Sequence, residues 1–219
     1  MHMISEDADL QRADAVAVRA SVEVVARVTT AHLTRATPCA DWDLLALLAH
    51  MTAQHRGFAA AAEGRGADPE AWREHRDQEQ TEGVRPEPVT RYLEAADEVV
   101  AAFRAADVPD RPFALPEFSS DRTFPGRLAI GFHLVDYVVH GWDVAAALGV
   151  AYAPPADVLA ITLPIARSVP TGSARLAPGA PFAPALDVPP GTTPLAEILL
   201  LLGRDPNWAA APAPNPMHR

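Results

Sequence analysis

Lysine is absent from this chain: all 18 basic residues among the 219 are arginine. Schiff-base chemistry through an enzyme lysine, a pyridoxal phosphate anchor and a Walker-A phosphate loop are thereby excluded. Cysteine occurs once, as Cys39, so no intramolecular disulfide can form. No run of about 18 uninterrupted apolar residues exists, because Arg, Asp, Glu or Pro breaks even the alanine-rich segments, and no membrane span is expected. The opening residues Met1 to Glu6 lack the basic and apolar regions of a signal peptide, which makes a cytoplasmic location the expectation. Excess positive charge is missing too. A net charge of -10 argues against nucleic acid or an anionic membrane as partner and leaves small molecules, with a homodimer as the assembly to test.

What is present is globular composition, 49% hydrophobic and 21% charged, in a chain long enough to bury a sizeable core. Helical periodicity dominates. Leu10, Ala13, Val16, Ala17, Ala20, Val24, Ala31 and Leu33 place a first helix within Ile4 to Arg35. Asp43 is a suitable N-cap for a second helix over Leu44 to Glu63, stopped by Gly64. By spacing, Leu47, His50, Met51, Gln54 and Phe58 share its inward face, with His55 nearer the edge. The polar stretch from Gly64 to Pro88 reads as a long loop holding a short helix, suited to covering a site. A third helix is expected over Glu87 to Ala106 and a fourth over Pro125 to Leu148, closed by Gly149, with Arg111 to Pro125 irregular between them. A fifth helix over Pro155 to Val169 should kink at Pro164, Pro170 to Gly191 reads as a strand or an extended loop, and a last helix spans Thr193 to Leu202. Nothing alternates strands with helices. The expectation is therefore all-α: a four-helix bundle over residues 1–150, a helical extension packed on it over 151–208 and a flexible Ala-Pro tail over 209–219.

The fourth helix carries the chemistry. Asp136 and His140, four residues apart, project from one face, and His133 extends that stripe toward the N-terminus. Leu134, Val135, Val138 and Val139 flank the stripe with apolar surface, so it should lie inside the bundle. A carboxylate and an imidazole buried there need a partner, and a divalent metal supplies one. With His50 from the second helix they form a three-ligand set with an open position, the arrangement of a catalytic Zn²⁺ site. His133 lies about 10 Å from His140 along the axis, which suits a proton-transfer role or a helix-interface histidine better than a ligand. Cys39 precedes the second helix, about 10 Å before His50 along it, and on that spacing should not reach the ion.

The same residues carry a resemblance. Thr37-Pro38-Cys39 with Trp42, the apolar helix leading to His50, the run His133-Leu134-Val135-Asp136 to His140-Gly141-Trp142-Asp143, and Leu202-Gly203-Arg204-Asp205-Pro206 with Trp208 resemble actinobacterial metal-binding proteins. Those proteins are related to the N-terminal domain of mycothiol-dependent maleylpyruvate isomerase, within the DinB-like superfamily. The resemblance covers the chain from about Asp9 to Trp208. It implies a DinB-like four-helix bundle, a divalent metal held at the positions of His50, Asp136 and His140, and isomerase or S-transferase chemistry with a low-molecular-weight thiol such as mycothiol. His55 stands where relatives often carry asparagine, and the chain after Val150 is short and proline-rich compared with the isomerase's separate C-terminal domain.

Plainer readings stand beside these. Asp136 and His140 can be a hydrogen-bonded pair without metal. Cys39 can be a buried small hydrophobe, and Trp42, Trp142 and Trp208 core anchors. Asp143 either orients a ligand histidine or caps backbone. Three functional classes follow: a metal- and thiol-dependent isomerase or transferase; a thiol-independent metal-dependent lyase, hydrolase or cyclase; and a metal- or ligand-binding bundle without catalysis.

Overall fold

A computed structural model describes residues 2–39, 42–76, 87–176 and 182–209. Four helices, α1 (His2–Val25), α2 (Leu44–Ala62), α3 (Glu87–Ala102) and α4 (Gly126–Leu148), form the main body. α1 packs on α4 and α3, and α2 packs on α3 and α4, which closes a four-helix bundle. Two further helices, α5 (Ala156–Ser168) and α6 (Pro194–Leu201), pack on each other, and α5 also lies against α4 and α1. The fold is all-α, as expected; its one sheet among the described residues is a two-stranded hairpin.

Sequence chemistry accounts for the helix ends. The Asp43 carboxylate accepts from the Ala46 N–H at 2.9 Å and so caps α2. Gly149 closes α4 at φ 70°, a left-handed conformation that glycine adopts without steric cost. α4 is buried on nearly every side because α1 and α2 cover part of it and α5 covers another flank. Leu134, Val135, Val138 and Val139 accordingly pack with Ala13, Ala17, Val158 and Ile198.

Several boundaries differ from expectation. α1 stops at Val25 rather than continuing to Arg35. The β-branched run Val24, Val25, Val28, Thr29 and Thr30 is poor helix former, and the chain instead turns extended at Thr29 so that Val28 and Leu33 enter the core. α3 ends at Ala102, four residues before the expected end. The segment expected to be irregular contains the hairpin strands β1 (Pro112–Ala114) and β2 (Thr123–Pro125), which pair Phe113 with Phe124 and bury both rings. Three-residue strands are too short to show a period. α5 runs through Pro164.

Between α5 and α6 the described residues form no strand. A short 3₁₀ turn (Ser173–Leu176) is held by buried Arg175, which donates to the carbonyls of Pro170 (2.7 Å), Ala183 (3.2 Å) and Leu201 (2.6 Å). The Ala-Pro tail from residue 210 onward and the middle of the polar loop, residues 77–86, lie outside the described residues.

Candidate metal centre

α2 and α4 bring His50, Asp136 and His140 together so that one ligand atom from each lies within 4.8 Å of the others. His140 Nε2 stands 3.3 Å from Asp136 Oδ1, one helical turn away. The His140 ring is buried, whereas the Asp136 and His50 side chains keep 21% and 17% exposure, so the cluster opens to solvent on their side. Burial alone would push the His140 imidazole down, but the Asp136 charge and hydrogen bonds to Asp136, Asp143 and Cys39 hold it well above its usual value. Asp136 responds in reverse: burial pushes it up, and His140, with smaller help from His50 and His133, pulls it to about 2.

Each histidine has a carboxylate behind it. Asp143, fully buried and three residues along α4, accepts from His140 Nδ1 at 2.9 Å, which decides its role in favour of orienting the His140 ring over capping backbone. Glu74 Oε1 lies 3.2 Å from His50 Nδ1, and this hydrogen bond, opposed by burial and assisted by Arg76, lowers the Glu74 carboxyl to about 2. Glu74 belongs to the polar loop, beside the 3₁₀ turn Pro69–Trp72, so the loop does reach the cluster. Both rings thus direct Nε2 toward the shared space. Trp42 packs against His50 with centroids 4.7 Å apart. Trp142 packs, partly buried, against the core cluster between α4, α5 and α6, and with Arg35 and the half-buried Trp208 it also lines a cleft of about 460 Å³.

Cys39 corrects the spacing argument. Distance along α2 does not measure its separation from α4, and the Thr-Pro-Cys turn folds back so that Cys39 Sγ lies 3.8 Å from His140 Nδ1. The thiol donates to Asp143 Oδ2 (3.1 Å) and accepts from Arg204 Nη2 (3.0 Å). Cys39, His140 and Asp143 also satisfy metal-ligand spacing. A guanidinium already serves as the cation there: Arg204 Nε is 3.3 Å from Asp143 Oδ1, and Nη2 is 3.3 Å from Oδ2. His140 Nε2, on the other side of the ring, faces Asp136 instead.

His133 faces a different neighbourhood. Its Nδ1 donates to Asp14 Oδ1 at 2.6 Å, and its Nε2 meets His55 Nδ1 at 3.1 Å. Phe58 and Phe103 pack edge-on to the ring. His55, expected near the helix edge, is fully buried and stacked on Tyr137 at 3.8 Å between centroids. Burial, with a smaller contribution from His133, pushes His55 well below the usual value.

At the rim, Gln54 Nε2 donates to Glu117 Oε1 at 2.8 Å. The residue Glu117 as a whole is exposed, yet partial desolvation of its carboxyl raises it; the Gln54 bond and His50 oppose this, and Asp136 and Glu74 reinforce it. Glu74, Glu117 and the contact role of Arg204 were not found by sequence reasoning. Glu74 and Glu117 sit in loops without periodicity. Arg204 lay within a motif already singled out, but nothing local ties it to Asp143.

Two uncharacterized proteins from two strains of Mycobacterium tuberculosis are each 26% identical over 182 residues, covering 83% of this chain and 90% of theirs. No solved structure matches. Among the described residues no helix is long and apolar enough to cross a membrane. The sequence profile of the mycothiol maleylpyruvate isomerase N-terminal domain spans residues 15–145, which takes in α2, α3, most of α4 and the whole His50, Asp136, His140 cluster. On that match, laid over an all-α bundle with its polar cluster between α2 and α4, the chain belongs to the mycothiol maleylpyruvate isomerase N-terminal domain family.

Proposed function

We propose that His50, Asp136 and His140 hold a divalent metal, most suitably Zn²⁺, in an enzyme that works on a small molecule with a low-molecular-weight thiol such as mycothiol. One observation carries this reading: two imidazoles and a carboxylate from two helices converge within 4.8 Å. The donor set fits such an ion. Two nitrogens and one oxygen are usual Zn²⁺ ligands, and each histidine has the carboxylate support typical of ligating histidines. When bound, the ion would act as a Lewis acid and lower the pKa of a thiol or water at its open position.

The chain's own groups divide the remaining work. Asp143 keeps a proton on His140 Nδ1, and Glu74 keeps one on His50 Nδ1, so that both Nε2 atoms are free to ligate. Glu117, raised and solvent-accessible beside the ligands, is placed to hold or release a proton at the rim, with Gln54 fixing its orientation. His133, with both ring nitrogens engaged by Asp14 and His55, serves the interface of α1, α2 and α4 rather than proton transfer.

Glu117 also favours a second reading, in which the carboxyl serves as acid or base for a thiol-independent lyase, hydrolase or cyclase reaction. A rate assay on electrophilic substrates, with and without added thiol and with and without chelator, separates the two. Thiol-dependent, chelator-sensitive turnover supports the first; chelator-sensitive turnover without thiol supports the second. Stoichiometric metal without turnover leaves a binding bundle.

A further inference from the structure

We propose that Arg204 is a positioning residue of the metal centre: it holds Asp143 and Cys39 in place, so that Asp143 fixes the Nδ1–H of His140 and Nε2 faces Asp136 and His50. This rests on the metal reading given above. It assigns the segment after α6 a part in a site whose three candidate ligands all come from the bundle.

The geometry is a chain of three contacts. Arg204 is 7% exposed, and its guanidinium meets both Asp143 oxygens through Nε and Nη2, each at 3.3 Å. Nη2 also donates to Cys39 Sγ at 3.0 Å, and Nη1 donates to the Leu202 carbonyl at 3.2 Å. Leu202 is fully buried beside α4 and α6 side chains, so the guanidinium is anchored to the core rather than to a loose loop. A planar fork with several donors can serve a carboxylate, a thiol and a carbonyl together; a lysine ammonium is a single point charge on a flexible stem. The Asp143 carboxylate, with both oxygens engaged by Arg204, keeps Oδ2 in line with His140 Nδ1 at 2.9 Å. Rotation of Asp143 would release that ring, and the imidazole would lose the orientation that aims Nε2 at Asp136. Partners behind a metal-ligating histidine typically change metal affinity about 10–100-fold when removed.

A purely structural role for Arg204 would be to neutralise buried Asp143. The two roles separate on Arg204→Lys, which keeps the charge and loses the fork. Zn²⁺ affinity is measured by chelator competition on the wild type, R204K and R204Q, with circular dichroism confirming the fold. In metal-free protein, the downfield ¹H resonance of the His140 Nδ1–H hydrogen bond, assigned by its loss in His140→Ala, supplies a readout independent of metal. The expected result is about 10–100-fold weaker Zn²⁺ binding in R204Q, a several-fold loss in R204K, and exchange broadening of the Nδ1–H signal in both. Folded R204K with wild-type affinity and an intact Nδ1–H signal overturns the proposal, even if R204Q does not fold. If wild-type protein takes up no Zn²⁺, the metal reading fails separately. The Nδ1–H signal then decides the positioning role alone: loss in R204K sustains it and retention overturns it.

Discussion

Asp143 accepts from His140 Nδ1 at 2.9 Å while Asp136 stands 3.3 Å from His140 Nε2, so one imidazole on α4 is gripped by two carboxylates from its own helix. The inner grip is fully buried and fixes the ring. The outer one is partly open and shares its space with His50. This polarity, one side structural and one side available, underlies the predictions.

Purified protein should carry about one divalent metal per chain, read by elemental analysis. His50→Ala and His140→Ala should each lose most of it while remaining folded. Asp136→Asn, which keeps size and a carbonyl oxygen but removes charge, should weaken binding by at least about tenfold. Wild-type metal content in all three would dismiss the site.

Stability of the metal-free protein should peak near the ordinary histidine value. His140 lies above that value in the folded chain, so its contribution is complete below about pH 6.5 and is lost as pH rises through the folded value. His55 lies below, so its contribution is present above about pH 6.5 and is lost as pH falls toward the folded value. Each limb should have a slope of up to about 1.4 kcal/mol per pH unit. Urea titrations across pH test this, and His55→Asn should flatten the acid limb alone. Metal binding must displace the proton that His140 shares with Asp136, so Zn²⁺ affinity should rise with pH over the alkaline limb.

Cys39→Ser should preserve fold and metal, because a hydroxyl can still donate to Asp143 and accept from Arg204. Cys39→Ala leaves an Arg204 donor without its acceptor in a buried site and should cost about 1–3 kcal/mol in denaturant unfolding. Turnover that disappears in a folded, metal-loaded serine variant would make Cys39 a reacting group instead of a neighbour of the ligand shell.

Gly57 on α2 sits under Trp72, and an added methyl would overlap the indole ring. Gly57→Ala should therefore destabilise by about 1–3 kcal/mol and displace the loop that presents Glu74 to His50. The combined readout is melting temperature together with Zn²⁺ affinity. A drop in stability without any change in affinity would show that Glu74 is not needed to hold His50.

Helical period, caps and breakers in the sequence were enough for the all-α bundle and for the approximate extents of α2, α4, α5 and α6, because those signals act within a few residues of each other. The four-residue spacing of Asp136 and His140 likewise fixes their shared face on one helix, whatever surrounds it. What lies across helices was decided only by tertiary packing. Distance measured along α2 placed Cys39 far from the chemistry, yet the turn before that helix returns it to His140 on α4. Periodicity put His55 at an edge, but α2 is enclosed on almost every side, and no face of it is an edge at that position. Glu74 and Arg204 reach the cluster over sequence separations of 24 residues to His50 and 61 to Asp143. Such contacts leave no periodic trace in the chain, because they depend on where its elements meet in space rather than on any local repeat.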